Sequence, residues 1–185
     1  MARPLVIGVA EGGIASLPAE IRDRLAGMDL VVAAPRFRDG LPDGPETIDW
    51  PSPFSDIFNV LSDNPDKSVA LLTTGDPMWY GAGASLVREL GPDGCEVVPA
   101  VSGLQHAAAR LGWPMAGCRV VSIHGRPVSG LVSALHPRTR LLVIAQDGGS
   151  PMAAAKLLAA RGYGAACMHV LAHLGSLDAV SYTHL

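Results

Sequence analysis

Seven short runs of aliphatic and β-branched residues punctuate this chain: LVIGVA (5–10), LVVAA (30–34), ETIDW (46–50), SVALLTTG (68–75), CEVVPA (95–100), CRVVSIHG (118–125) and RLLVIAQDG (140–148). An eighth, ACMHVLAHLG (166–175), closes the series. Between them lie segments whose apolar residues recur at helical spacing. SLPAEIRDRLAGM (16–28) sets Ile21, Leu25 and Met28 on one face, with Ser16 as the expected N-cap and Pro18 in the first turn. PFSDIFNVLSDN (53–64) aligns Phe54, Ile57, Phe58 and Leu61 before Asn64-Pro65 stops it. GASLVRELG, SGLQHAAARLG, SGLVSALH and PMAAAKLLAARG read as further helices. A strand too apolar to face water on either side, followed by a helix, followed by another such strand, specifies an α/β protein with mostly parallel sheets.

GWPMAG (112–117) breaks the rhythm, so the sequence predicts an N-terminal α/β domain over 1–114 and a C-terminal α/β domain over 115–180. The second holds about three strands and reads as truncated. Residues 181–185, SYTHL, read as an unstructured or appended tail. With 49% apolar and 17% charged residues the chain is globular, and its net charge of 14 − 17 = −3 gives no footprint for nucleic acid. Cys95, Cys118 and Cys167 are isolated, which suits a reducing cytoplasm and gives neither a disulfide framework nor a zinc motif. No leader or membrane span is legible.

The loops that follow the strands carry the chemistry, because ligands of open α/β sheets sit outside the carboxyl ends of the strands. Here those loops are AEGG (10–13), TGDPMWYGAG (74–83), AVSGLQ (100–105), HGRP (124–127) and QDGG (146–149). Glycine there lets a ligand approach the backbone. The dinucleotide G-x-G-x-x-G, the phosphate-binding G-x-x-x-x-G-K-[ST] and the hydrolase G-x-S-x-G are all missing. His169 and His173 fall on one strand about 13 Å apart, so no metal site is expected.

In order and spacing, GVAEGG (8–13), TTGDPMWYGAG (73–83), PAVSGLQHAAARLGWP (99–114) and VSIHGRP (121–127) resemble the tetrapyrrole methylase family. Within it they look most like the precorrin-6Y C5,15-methyltransferase branch. The resemblance implies two α/β domains with S-adenosylmethionine in the cleft between them and a tetrapyrrole as substrate. It implies cofactor contacts from Glu11, Gly75, Asp76, Pro77, Trp79, Gly81, Ser102, Gly103 and Gln146. Gly103 replaces the second serine of a pair usual in the family, Glu11 stands where many relatives carry proline, and Ala172 where the branch often has an acidic residue.

A substrate rich in acetate and propionate calls for basic contacts. Arg126 beside His124 is the first candidate; Arg36, with Arg38, is the second. Methyl transfer from a sulfonium is an in-line displacement that needs alignment more than acid–base help, and no residue is assigned as general base. The resemblance leaves open a homodimer, and a decarboxylating methyltransferase as partner or fused domain. The alternatives are another substrate for the same fold (a different ring carbon, a protein or ribosomal RNA) and an inactive cofactor-binding fragment.

Overall fold

The computed structural model describes residues 3–184. The chain divides into two compact units, Met1–Ser102 and Gly103–Leu185.

The first unit contains β1 (Leu5–Val9), α1 (Ala19–Ala26), β2 (Leu30–Val32), β3 (Glu46–Ile48), α2 (Ile57–Asp63), β4 (Val69–Thr74), α3 (Ala82–Leu90) and β5 (Glu96–Val98). Its five strands are all parallel, in the order β3-β2-β4-β1-β5. Every residue of β1 is buried, as a strand covered on both faces requires. Alternate side chains divide between two cores. Leu5, Ile7 and Val9 pack with Leu25 and Ile21 of α1. Val6, Leu71 and Val32 pack with Ile57 and Leu61 of α2 and Leu86 of α3. The helix after β1 and the helix after β4 therefore cover opposite faces. Because β1 and β4 are adjacent, the direction of winding reverses between them.

Polar contacts pin the edges of this sheet. Arg24 of α1 grips Glu96 of β5 with two bonds of 2.7 and 2.8 Å. That pair holds the Glu96 carboxyl below its usual range and raises the Arg24 guanidinium. Both side chains remain more than a third exposed, so the contribution to stability is modest. The Trp50 indole donates to the carbonyl of Leu72 at 2.8 Å.

The second unit contains α4 (Gly103–Leu111), β6 (Cys118–Ser122), β7 (Arg140–Ile144), α5 (Ser150–Ala160), β8 (Met168–Ala172) and β9 (Val180–His184). β6 and β7 pair in parallel, while β8 and β9 form a separate antiparallel pair. Two small cores serve it, one around Leu104, Ala107, Ala108 and Leu142, the other around Ile123, Leu131 and Ala154.

Four expectations change. The unit boundary falls at 102/103 and not near 114, because α4 buries its apolar face against Leu142 of β7. Residues 181–184 are no loose tail: they pair along β8, from Ala172↔Val180 to Met168↔His184, and residue 185 lies outside the described residues. Ser16 does not cap α1. It ends a 3₁₀ turn, its hydroxyl donating 2.6 Å back to Gly13, and extended Pro18 precedes the helix. SGLVSALH is 3₁₀ over Val128–Ala134, a short form suited to a segment with Gly130 and two valines inside one turn or two. Among the described residues no helix is long and apolar enough to cross a membrane.

Candidate functional site

The winding of the first unit reverses between β1 and β4, where an open α/β sheet leaves a crevice at its carboxyl edge. Four loops meet there. Gly8 opposes Thr73 and Val9 opposes Thr74 across the ladder, and the Gly75 amide donates to the Val9 carbonyl at 2.8 Å. Gly75 has φ +64°, so the chain leaves β4 through a left-handed residue.

Beyond it the loop closes on itself. The Asp76 carboxylate accepts from the Met78 amide at 2.8 Å, and the Trp79 amide donates to the Asp76 carbonyl at 3.2 Å. Pro77 is buried beneath Gly81 and Gly83. A Cβ on Gly81 would stand 2.7 Å from the Pro77 carbonyl oxygen, and one on Gly83 would stand 2.7 Å from the Pro77 Cβ. The glycines thus let the loop fold flat over its proline. Its outer side presents Met78, Trp79 and Tyr80, each between 44 and 48% exposed, with Tyr80 itself at φ +58°.

Ser102 is buried and meets the same turn, since a Cβ on Gly75 would lie 3.5 Å from its Cα and Cβ. Arg36 reaches the end of β4, donating to the Thr74 hydroxyl, and its guanidinium lies 4.8 Å from the ring centre of Phe37. Glu11 is exposed in the first loop, where the Gly13 amide closes a turn on Ala10 at 3.0 Å. Arg38 pairs with Asp49.

The sequence reading missed Gly8. A Cβ there would stand 2.6 Å from the Gly75 carbonyl oxygen, 2.8 Å from the Ala100 Cβ and 2.8 Å from the Pro77 Cδ. This residue is where the Gly-Asp-Pro loop and the loop after β5 both settle onto β1. The signal was present, since a lone glycine inside the buried run LVIGVA marks close approach of another backbone.

Gly103, His124, Arg126 and Gln146 belong to the second unit. Gly103 heads α4, and a Cβ there would meet nothing within 4 Å. The loops after β6 and β7 come together: the Gln146 side-chain carbonyl accepts from the Gly125 amide at 3.0 Å. Between those loops and the start of α5 lies an open recess of about 250 Å³, lined by Arg126, Gln146, Ile123, Val128, Asp147 and Ser150 among others. Exposed His124 does not line it.

Residues 5–184 match the family model of tetrapyrrole (corrin/porphyrin) methylases. A precorrin-6Y C(5,15)-methyltransferase [decarboxylating] from Sinorhizobium sp is 34% identical over 173 residues, 92% of this chain. The chain spans only 42% of that relative's length. A cobalt-precorrin-7 C(5)-methyltransferase from Salmonella typhimurium is 32% identical over 108 residues, 58% of this chain and 53% of the relative. Among solved structures, the uroporphyrin-III C-methyltransferase of Thermus thermophilus in complex with S-adenosylhomocysteine matches with a TM-score of 0.69. It is 19% identical and covers 99% of this chain and 83% of its own.

Proposed function

The chain belongs to the tetrapyrrole methylase family, and from that membership we propose that it is an S-adenosylmethionine-dependent C-methyltransferase acting on carbon 5 of a precorrin in cobalamin biosynthesis. The observation that carries the reading is the meeting of the Gly-Asp-Pro loop, β1 and the loop after β5 around Gly8, at the point where the sheet's winding reverses. With three cysteines and no disulfide among the described residues, the enzyme suits a reducing cytoplasm.

The residues at this edge fit the cofactor's chemistry. S-adenosylmethionine carries an ammonium group, a sulfonium and a nucleoside. Asp76 offers a half-buried carboxylate held in place by the Met78 amide, suited to the ammonium. Gly75 gives close backbone approach, and Ser102 packs against the same turn through its Cα and Cβ. Exposed Trp79 gives an aromatic surface at the rim, and Glu11 and Gly81 border the same loops.

When bound, the cofactor supplies an electrophilic methyl on sulfur. The protein's part is to align that methyl with the substrate carbon, and positioning of this kind lowers a barrier by up to about 7–11 kcal/mol. A reduced tetrapyrrole brings its own enamine-like carbon nucleophile, so no side chain is assigned as base. Arg126 of the second unit is assigned to a carboxylate of the substrate, and His124 beside it and Arg36 of the first unit are further candidates for such a contact. We assign this chain one methylation; the second methylation and the decarboxylation named for the Sinorhizobium relative need a further site, in a partner or a joined domain.

Mass spectrometry tests the reading. Protein incubated with S-adenosylmethionine and precorrin should yield product heavier by one methyl and release no labelled carbon dioxide. Two added methyls, or carbon dioxide from this chain alone, would overturn the assignment to C5. No methyl on any precorrin would overturn the enzyme.

A further inference from the structure

Gln146 stands two residues beyond β7 in a turn with little freedom. Its backbone amide and that of Asp147 both donate to the Ser150 hydroxyl, at 3.1 and 3.2 Å. The Asp147 carboxylate in turn accepts from the amides of Gly149 and Ser150 at 2.9 and 3.1 Å. The Gln146 backbone is thus fixed at the head of α5, and its side chain reaches across to the neighbouring loop to accept from the Gly125 amide.

That loop has the opposite character. It leaves β6 at Ile123, whose amide donates to the Ile144 carbonyl at 2.9 Å, and then turns, with the Arg126 amide reaching the Ile123 carbonyl at 3.3 Å. Its second corner is Gly125, at φ +65°, with nothing within 4 Å of where a Cβ would be. No neighbour packs against the side of this corner where a Cβ would be. Glycine is free to adopt several backbone conformations, and each would carry the following Arg126 in a different direction. Together with the Arg126–Ile123 bond, the bond to Gln146 favours one of them, the one in which Arg126 lines the recess.

We propose that Gln146 is a positioning residue and not a cofactor ligand: its side-chain carbonyl sets Gly125 and so aims Arg126 into the recess, where a carboxylate of the substrate is held. The carboxylate part of this inference rests on the proposed function; the clamp on Gly125 does not. Gln146 then shapes substrate affinity without touching the substrate.

The experiment uses the full chain and four variants: Gln146→Leu, Gln146→Glu, Arg126→Ala, and a double variant that combines Gln146→Leu with Arg126→Ala. Hydrogen exchange at 124–126 reads the clamp without any ligand. Fluorescence titration with uroporphyrin, a stable tetrapyrrole bearing acetate and propionate groups, reads the recess, and calorimetry with S-adenosylhomocysteine reads the cofactor. Gln146→Leu should speed exchange and weaken uroporphyrin binding by about 2- to 13-fold, the span expected for one neutral hydrogen bond. Arg126→Ala should weaken it by roughly 10- to 150-fold. The double variant should match Arg126→Ala alone, because the glutamine acts through the arginine. S-adenosylhomocysteine affinity should stay at wild type throughout. Gln146→Glu, which keeps an acceptor, should keep exchange slow.

Unchanged exchange in Gln146→Leu overturns the clamp. Loss of S-adenosylhomocysteine binding in the same variant makes Gln146 a cofactor ligand, and additive losses in the double variant break its link to Arg126. If the wild-type chain does not bind uroporphyrin, the proposed function fails on that count, while exchange still decides the clamp.

Discussion

Gly8→Ala is the sharpest probe of the loop cluster. The added carbon would stand 2.6 Å from the Gly75 carbonyl oxygen and 2.8 Å from both the Ala100 Cβ and the Pro77 Cδ. None of these is the end of a flexible side chain. One is backbone, one is a Cβ, and one belongs to a ring locked in φ. Overpacking costs about 1–3 kcal/mol, and three such contacts at once put this site near the upper figure. Alanine restricts the unfolded chain and returns about 0.5–1 kcal/mol. The net loss is about 2 kcal/mol, or about 4–8 °C in Tm for a chain of this size. The displaced loops should also weaken S-adenosylhomocysteine binding, by about tenfold for each 1.4 kcal/mol needed to restore them. Thermal melts and calorimetry measure both. Gly130→Ala, where a Cβ meets nothing within 4 Å, serves as the control and should leave affinity unchanged and Tm unchanged or slightly raised. Wild-type melting and affinity in Gly8→Ala would refute the argument that β1 and its loops are in contact here.

Two further predictions concern acid and thiols. The Asp29 carboxyl is held below its usual range, first by the Ser68 hydroxyl and then by the Ser68 amide. A depressed value adds stability above the unfolded pKa of about 3.9, and that stability fades as pH falls through the lower folded value. NMR titration should therefore find Asp29 below ordinary aspartates, and Ser68→Ala should bring it back up; an unmoved midpoint would remove the Ser68 contacts from the account. Cys95 is 2% exposed and burial pushes its thiol up, whereas Cys167 is exposed. Ellman's reagent should label Cys167 in the native chain and Cys95 only on unfolding, and equal rates would contradict the packing of Cys95 beside Leu86.

The alternation of strands and helices was legible because both periodicities are local. All five strands of the first unit lie within runs read from the sequence, from LVIGVA to CEVVPA. The loops at the carboxyl edge were legible for the same reason, since glycine and proline at a strand end announce themselves. What stayed hidden was set by partners distant in the chain. Nothing near α4 says that Leu104 and Ala107 will pack with Leu142, so the boundary was misplaced by the nearby GWPMAG. Nothing in VSYTH foretells a partner, and β9 exists only because β8 offers an edge. Gln146 stands out at a strand end, but its bond to Gly125 joins positions 21 residues apart and no local pattern contains it.

The strand order also governs how the chain is made. β1 is synthesised well before either of its neighbours: Leu5 pairs with Ala70 and with Glu96. At about 5–20 residues per second, some 65 residues of further synthesis leave LVIGV without a partner on either edge for roughly 3–13 seconds. An apolar strand with two open edges invites pairing with another nascent chain during that interval. Yield of soluble protein should therefore depend on translation speed, growth temperature and holdase chaperones more than the stability of the finished molecule would suggest.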